Sequence, residues 1–250
     1  MASRRGRETA ARWIFIAALL AALEGVVRLD WVDRIFVTAP SLVAATAWEK
    51  ILSGELPALF VTTLFSVGAA FLLAMVVGLP AGYALWRFPL FGRAYDELLS
   101  ALFASPWILL YPIFLVIFGR GLGAIIAMGF LSGMIPIALN THHGLRDVNP
   151  IYLKVGTGMR LKERQIVRHI LFPAAAPMIL SGLKLGVTYI LISVIAVEFL
   201  VEIGGIGTLA SKGYFWFNTE ELYLGMAGAI VLSMIFIHLL GRAESRLFTS

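Results

Sequence analysis

The sequence contains no cysteine and few charged residues, and both shortages narrow its possible functions. Without cysteine the chain can form neither a disulfide nor a thiolate metal site. Charged residues make up only 14% of the 250 residues, against about 25% in soluble domains. Hydrophobic residues make up 60%, and the mean hydropathy is +0.89. This excess of apolar side chains is too large for one water-soluble core and indicates an outer surface that contacts lipid.

Six long apolar runs lie along the chain, and a bilayer span needs roughly 20 mainly apolar residues. Because backbone amides in lipid must find partners within their own segment, each run is expected to form a helix. The sequence thus predicts an all-α, multi-pass membrane protein, with an N-terminal anchor and outer-surface segment (residues 1–57) and a core of five spans (residues 58–250). The predicted spans are Ala11–Leu29, Leu59–Leu85, Leu98–Phe118, Leu122–Leu139, Met178–Leu200 and Leu222–Leu240.

The basic residues lie between these runs in a pattern that orients the chain in a membrane. With both termini in the cytoplasm, the inner side carries many more lysines and arginines than the outer side, as the positive-inside rule requires. The net charge of +5 is explained in this way, and no nucleic-acid partner is expected. The inner residues are Arg4, Arg5, Arg7, Arg12, Arg87, Arg93, Arg146, Lys154, Arg160, Lys162, Arg164, Arg168, Arg242 and Arg246, and the outer residues are Arg28, Arg34, Lys50, Arg120 and Lys212.

The first predicted span has a second interpretation. Its basic start and short apolar run from Trp13 to Leu23 also resemble a secretory signal peptide. No small-x-small cleavage site follows, and the apolar stretch continues to Leu29, which favours retention as an anchor. The mixed segment from Asp30 to Pro57 is predicted to be an amphipathic stretch on the outer surface.

One long segment between spans, residues 141–177, is expected in the cytoplasm. Asn149 predicts an N-cap before a proline at the first helical position, with a short helix running to about Met159. A second helix is expected from about Leu161 to Leu171, and Pro173 is expected to end it. Two short amphipathic helices outside the membrane fit a groove on a partner protein. Contact with lipid headgroups is the alternative.

This segment resembles the EAA loop of ATP-binding-cassette importer permeases, whose pattern is E-A-A, three residues, G, nine residues, I, one residue, L-P. Counting back from Phe172-Pro173, the isoleucine falls on Ile170, the glycine on Arg160 and the triplet on Lys154-Val155-Gly156. In this family the loop contacts the ATPase. The coupling residues that the resemblance implies are Lys154, Val155, Gly156, Gly158, Arg160, Leu161, Ile170, Phe172 and Pro173.

Two departures from the pattern are expected to change the loop. Lys154 stands where the family has a glutamate that helps to seat the loop on the ATPase, which implies an altered or charge-reversed contact. Arg160 replaces a glycine that allows a turn with φ above zero, so the turn must be made with a side chain. Gly156 and Gly158 lie close by and are candidates to take over the bend.

The resemblance extends from about Val37 to Leu247 and follows the nitrate, sulfonate and taurine branch of these permeases. The matching stretches include Gly78–Gly82, Pro112–Phe114, Ala138–Thr141, Gly144–Arg146, Val148–Pro150, Pro173–Pro177, Gly182–Leu185, Ala196–Leu200 and Gly205–Leu209. The resemblance implies the type I importer fold and alternating access in a homodimer. It also implies two partner ATPase subunits, which bind ATP and magnesium, and an extracytoplasmic solute-binding protein; no cofactor is expected in this chain.

The implied substrate is a small organic or inorganic anion such as a sulfonate, taurine or nitrate. An aromatic or pyrimidine-like compound is one alternative, and a stand-alone channel or secondary carrier is another. A carrier would work alone in liposomes, whereas a permease would need an ATPase. No pair of acidic groups suited to a proton relay is visible in the middle of a predicted span.

Polar and aromatic residues near the third, fourth and fifth predicted spans are candidates for the translocation path. The aromatic pair on the third span could gate the path or anchor the helix at the interface. The carboxylate on the fifth span could line the path or contact the binding protein, or else be solvated or paired at the interface. The candidates are Trp107, Tyr111, Asn140, Tyr189, Ser193 and Glu198.

Enzymatic chemistry finds little support in the sequence. The glycine-rich points lack the Gly-Lys-Ser/Thr ending of a phosphate-binding loop and are interpreted as turns. Ser132 and His238 lie on predicted spans, but the serine is not in the G-x-S-G run of rhomboid-type intramembrane proteases. His142 and His143 would diverge by about 100° on a helix and are interpreted as solvated loop residues rather than metal ligands.

Overall fold

The computed structural model describes residues 2–33 and 35–248, with side chains for residues 11–33 and 35–242. Within these ranges the chain forms helices and no strand, which confirms the all-α prediction. Arg4, Arg5, Arg7, Arg34 and Arg246, used above to orient the chain, have side chains outside the described ones. The helices are α1 (Ala2–Arg28), α2 (Pro40–Leu52), α3 (Glu55–Arg87), α4 (Pro89–Ala104), α5 (Tyr111–Phe118), α6 (Leu122–Arg146), α7 (Pro150–Gly158), α8 (Glu163–Ile166), α9 (Phe172–Val201), α10 (Ile206–Phe215) and α11 (Thr219–Phe248).

Four helical stretches among the described residues are long and apolar enough to cross a membrane. They are α3, α6, α11 up to Arg242, and the continuous stretch Glu163–Val201. A bent pair, Pro89–Ala104 with Trp107–Phe118, makes a fifth if it counts as one span. The predicted first span coincides with α1, whose N-terminal side chains lie outside the described residues, and α1 is not among these candidates.

The third predicted span is broken rather than continuous. Two helices, α4 and the stretch beginning at Trp107, meet at an angle of 85° around Ser105 and Pro106. Proline disfavours helical geometry in the residue before it, and Ser105 is extended, with ψ of 143°. The hydropathy of Leu98–Phe118 therefore predicted the lipid-facing character of this region but not its bend.

Helix α6 lies at the centre of the bundle, against α3 on one side and α9 on the other. Small residues let the backbones approach closely: a Cβ added to Gly133 would lie 3.1 Å from the Gly186 carbonyl oxygen, and a Cβ added to Gly186 equally close to that of Gly133. Close backbone approach at small residues is how helices pack in lipid, where no hydrophobic effect drives them together. The three helices form the core of the bundle.

The predicted cytoplasmic segment is shorter in the structure than residues 141–177. Helix α6 continues to Arg146, and from Glu163 the chain is helical without interruption through α8, a π-helical segment (Val167–Leu171) and α9. The prediction that Pro173 ends a helix was wrong. Pro173 occupies the first turn of α9, and the wider π turn before it, in which the Phe172 amide bonds to the Val167 carbonyl, relieves the clash that proline makes in a regular α-helix.

Basic residues that are predicted on opposite sides of the membrane lie near opposite ends of α3. At one end Lys50 of α2 forms ion pairs with Glu55 and Glu221, at 2.8 and 2.9 Å. At the other end Arg87 of α3 pairs with Glu163 of α8 at 2.9 Å. The two ends are called the α2 end and the α7 end below; the sequence predicts that they face the outside and the cytoplasm, respectively.

Candidate coupling surface and transport pathway

Helix α7 begins and ends at the residues that the sequence predicts. The Asn149 side chain accepts a hydrogen bond from the Ile151 amide at 3.0 Å, which caps the N-terminus. At the C-terminus Arg160 has φ of 55°, while its amide bonds to the Thr157 carbonyl and the Leu161 amide bonds to the Gly156 carbonyl. This is the Schellman arrangement, in which glycine normally supplies the left-handed residue. Arg160 makes the turn here, and neither Gly156 nor Gly158 takes over the bend.

Gly156 has a packing role instead. It is buried, and a Cβ added to it would lie 2.8 Å from Cδ1 of Ile170 and 3.1 Å from Cγ1 of Ile166. Leu153, on the same face of α7, packs against a buried cluster that contains Leu145 and Leu171. This face packs α7 against the buried cluster at the ends of α6 and α9.

A second side of α7 is an exposed apolar surface, formed by Ile151, Tyr152 and Val155 of the helix and by Met159 just after it. Their exposed fractions are 61%, 54%, 53% and 68%. The spacing of these four residues places them on one face of the helix. Lys154 and Arg160 are also exposed beside this face. An apolar helix face rimmed by basic residues outside the bundle is suited to docking in a groove on another protein.

The other residues that the sequence predicts for coupling lie between this surface and the bundle. Ile170 contacts Gly156, as described, and Leu161 is half-buried at the end of the turn. The ring of Phe172 stacks on that of Tyr83, with centroids 6.0 Å apart, and so joins α9 to α3. Phe172 and Pro173 also line an apolar groove of about 550 Å³ with Leu79.

A cavity of about 150 Å³ brings together three of the predicted path residues, Trp107, Tyr189 and Ser193. Ser132, which lies beside a glycine on the fourth predicted span and is not among the predicted path residues, lines it as well. The hydroxyls of Ser132 and Ser193 form a hydrogen bond of 2.6 Å. The indole N–H of Trp107 is buried and has no acceptor among the described residues. Among the described residues that line this cavity none is charged.

Two other predicted path residues lie apart from this cavity. Tyr111 packs against the main apolar core. Asn140 bonds through its side-chain amide to the Pro136 carbonyl at 2.8 Å, and it lines a separate groove with Lys184 and Thr188. That groove opens between α6, α9 and α11, nearer to the α7 end.

Glu198 is fully buried and belongs to a structural cap rather than to a surface. One carboxylate oxygen accepts hydrogen bonds from the Gly207 amide at 3.0 Å and from the Thr63 hydroxyl at 2.9 Å. The Thr63 hydroxyl in turn accepts from the Ile206 amide at 2.9 Å. Together these groups satisfy the first amides of α10. The sequence weighed a path-lining carboxylate against a solvated or paired one at the interface, and neither description includes this buried cap.

Helix α10 is absent from the sequence prediction, which assigns turns to the glycines around it. Gly204 and Gly205 do form the turn, with φ of 128° and 92°, but a buried ten-residue helix follows at once. The other glycine-rich point is a turn, as predicted: α5 ends at Phe118 and α6 begins at Leu122. Arg120 in that turn donates a hydrogen bond of 2.8 Å to the Val201 carbonyl at the end of α9.

The interpretation of His142 and His143 as solvated loop residues was wrong. Both lie on α6, and only 6% of His142 is exposed. Nε2 of His143 lies 2.8 Å from Oδ1 of Asp96 on α4. The two imidazoles and this carboxylate offer ligand atoms that all lie within 4.8 Å of one another. The sequence gives no signal for this cluster, because Asp96 is distant along the chain.

Comparison with known families and proteins gives consistent matches. The family model described as "Binding-protein-dependent transport system inner membrane component" matches residues 74–246. The nitrate import permease NrtB of Synechococcus elongatus is 26% identical over 181 residues, which cover 72% of this chain and 63% of that protein. The putative aliphatic sulfonates transport permease SsuC of Bacillus subtilis is 25% identical over 88% of this chain and 78% of its own length. The choline permease OpuBD of the same organism is 28% identical over 64% of this chain and 69% of its own.

Solved structures show the same fold. Two crystal forms of the inward-facing MetNI methionine ABC transporter contain a chain that superimposes on this one, with TM-scores of 0.65 and 0.61. The matches cover 79% and 74% of this chain, and 96% and 91% of the chains compared. Sequence identities of 22% and 23% carry no information on substrate, so the likeness is one of fold.

Proposed function

Because this chain belongs to the family of inner membrane components of binding-protein-dependent transport systems, we propose that it is the permease of an ATP-driven importer of a small anion. The exposed apolar face of α7 is the observation that supports the proposal most directly. Both ends of α7 are capped by residues next to the helix, and one of its faces packs on the bundle. The exposed apolar face makes no such contact among the described residues, which is typical of a surface that binds another protein.

The ATPase partner docks on this face and drives the transport cycle. Its closure on ATP moves α7, and the packing of Gly156 and Leu153 passes the motion to α6 and α9. The partner can shift the permease between its two states only through contacts that differ between them. The permease acts as a homodimer, and a solute-binding protein delivers substrate at the α2 end.

The cavity beside Trp107 supports a substrate held by hydrogen bonds rather than by ion pairs. Its indole N–H, which has no acceptor among the described residues, can donate to an oxyanion such as a sulfonate, taurine or nitrate. Two of the relatives are named for nitrate and for aliphatic sulfonates. A second candidate is a quaternary ammonium compound, since one relative is a choline permease and the cavity has aromatic walls that suit cation–π contacts.

The absence of native cysteine allows a direct test of the α7 surface. A Val155→Cys variant should react with a membrane-impermeant maleimide in inverted vesicles and not in right-side-out spheroplasts. A Trp216→Cys variant, in the exposed turn after α10, should show the opposite pattern. Labelling of Val155→Cys from the outside would contradict the proposal, because no ATPase could then reach α7.

Coupling is tested by Val155→Asp in liposomes that contain the permease, its ATPase and its binding protein. A charge on the docking face should reduce ATP-driven uptake at least tenfold while insertion and folding stay normal. Thr157→Asp is the matched control, because Thr157 is exposed on another face of α7 and bonds only to its own helix. Wild-type uptake by Val155→Asp, or uptake by the permease without ATPase, would refute the function. Competition of uptake by taurine, nitrate and choline then distinguishes the two substrate classes.

A further inference from the structure

We propose that Asp96, His142 and His143 form a binding site for one divalent transition-metal ion, best suited to zinc, which fastens α4 to α6 beside the connection to α7. The site does not depend on what the protein transports. It rests on the position of three potential ligands, on an unpaired nitrogen among them, and on a cavity that Asp96 and His142 line.

The three side chains converge although the sequence separates them. Asp96 lies on α4, and the two histidines lie in the last turns of α6. The ligand atoms lie within 4.8 Å of one another, and Nε2 of His143 is already 2.8 Å from Oδ1 of Asp96. The two imidazole rings are 5.4 Å apart and tilted by 53°. Ligands on one zinc ion sit roughly 3–4 Å apart, given bond lengths of about 2 Å, so small side-chain rotations close the site.

His142 is the residue that most needs a partner. Only 6% of the His142 side chain is exposed, and its Nδ1 has no hydrogen-bond partner among the described residues. A buried polar atom without a partner costs free energy, so native structures rarely keep one without a reason. A metal ion would supply the missing interaction.

The surroundings leave room for an ion and for a fourth ligand. Asp96 and His142 line a cavity of about 300 Å³ together with Trp86, Arg93 and Arg146. Helix α4 approaches the imidazole through Gly92, where an added Cβ would lie 3.1 Å from Cε1 of His142. A water molecule in the cavity could complete a tetrahedral set of two nitrogens and two oxygens.

Two arginines lie next to the site, and the ligand types determine which ion fits it. Arg146 approaches Asp96, with Nη1 3.6 Å from Oδ2, but its Nε also pairs with Asp147 at 3.2 Å. Arg146 can therefore stay paired with Asp147 when the metal ion binds Asp96. Arg93 also faces the cavity and bonds to the Pro89 carbonyl at 3.4 Å. Calcium and magnesium prefer several oxygen ligands, whereas two imidazoles select zinc, nickel or cobalt.

The test measures metal binding to the purified full-length chain in detergent, with Zn²⁺ and Co²⁺ as the probes. Wild type should bind one Zn²⁺ per chain in a competition with a chromophoric chelator, and Co²⁺ should give the visible bands of a tetrahedral site. Asp96→Asn, His142→Gln and His143→Gln should each weaken Zn²⁺ binding by tenfold or more. Zn²⁺ should also raise the melting temperature of wild type and not of these variants.

The matched control uses the other two of the four histidines, His169 and His238, both of which are exposed. A His169→Gln/His238→Gln double variant should bind Zn²⁺ as wild type does. A substitution of His142 can prevent folding, because this residue is buried. Asp96 and His143 are half-buried, so their variants test metal binding even if the His142 variant does not fold. The proposal is overturned if wild type binds Zn²⁺ no more tightly than the Asp96→Asn/His143→Gln double variant, or if the control variant loses the binding.

Discussion

The two ends of the helical bundle differ in what their buried polar groups and helix faces contact. At the α2 end one oxygen of the buried Glu198 carboxyl group bonds to Thr63 and to the first turn of α10, while the other oxygen has no partner among the described residues. At the α7 end an apolar helix face is left exposed, and Nδ1 of His142 is buried without a partner among the described residues. The buried group at the α2 end thus holds a short helix in place, whereas the helix face and the buried nitrogen at the α7 end have no such contact within the described chain.

This difference indicates which end has to exchange contacts. A docking surface and a ligand site must stay unsatisfied in the isolated chain, since a partner adds nothing to groups that are already paired. The cap at the α2 end instead fixes the short helix α10 and the turn before it. We therefore expect substitutions at the α2 end to lower stability, and substitutions on the exposed face of α7 to affect coupling while stability stays unchanged.

The largest effect on stability is expected from Glu198→Ala. The change leaves the Gly207 amide without its acceptor and opens a cavity in a fully buried position, at an expected cost of about 2–4 kcal/mol. Thermal unfolding of the full-length chain in detergent, followed by circular dichroism, should show the lower melting temperature. Glu198→Gln is the control, because its amide oxygen still accepts from Gly207, and it should retain most of the stability. Equal melting temperatures for Glu198→Ala and wild type would remove the contrast between the ends.

An intermediate effect is expected from Gly156→Val, on the bundle-facing side of α7. Its Cβ would lie 2.8 Å from Cδ1 of Ile170, and overpacking of this kind costs about 1–3 kcal/mol. Amide hydrogen exchange of residues 150–158 should become roughly tenfold faster, since α7 opens more often when it packs less well. Gly158→Val is the matched control, because an added Cβ there meets nothing within 4 Å. Similar exchange in the two variants would mean that α7 is not held by this contact.

The sequence predicts features that depend on neighbouring residues better than features that depend on distant ones. The cap at Asn149 and the side-chain turn at Arg160 follow from residues a few positions apart, and the structure has both. The long apolar runs likewise place α3, α6, α9 and α11, because hydropathy reports the lipid that surrounds each helix rather than its neighbours.

Hydropathy gives no information on how the backbone bends within an apolar run. The break at Ser105 and the π turn before Pro173 are both proline effects. In one case proline ends the helix, and in the other the helix widens and continues. The hydropathy of a run does not distinguish these outcomes, and in the second case Leu171, just before Pro173, is buried in the cluster against which α7 packs.

Contacts between distant residues account for the features that the sequence analysis missed. Glu198 and Thr63 cap α10 across the bundle, and Asp96 meets His142 and His143 across the α4–α6 contact. In each case a residue on one helix completes the hydrogen bonds or the ligand set of another. A single sequence shows the residue types but not which of them meet, so it predicts neither the buried cap at Glu198 nor the cluster of Asp96 with His142 and His143.

The smallest expected effects on stability come from the ion pairs at the two ends of the bundle. Lys50 and Glu221 expose only 14% and 21% of their side chains, whereas Arg87 and Glu163 expose 50% and 68%. Burial by itself lowers the pKa of Lys50, but hydrogen bonds to Glu55 and Glu221 outweigh it and raise the pKa above its ordinary value. Because the folded-state pKa is the higher one, this stabilisation is complete at neutral pH and is lost only as the pH rises through the raised pKa.

Lys50→Met should therefore cost about 1 kcal/mol, and Arg87→Met less than about 0.5 kcal/mol, since exposed pairs are weakened by solvent and salt. Chemical denaturation at pH 7 and at two salt concentrations measures both changes. The cost of Lys50→Met should persist in high salt, because its pair is shielded by α2 and α11, whereas the smaller cost of Arg87→Met should vanish. If the two variants lose equal stability and respond equally to salt, the α2 end is no better satisfied than the α7 end.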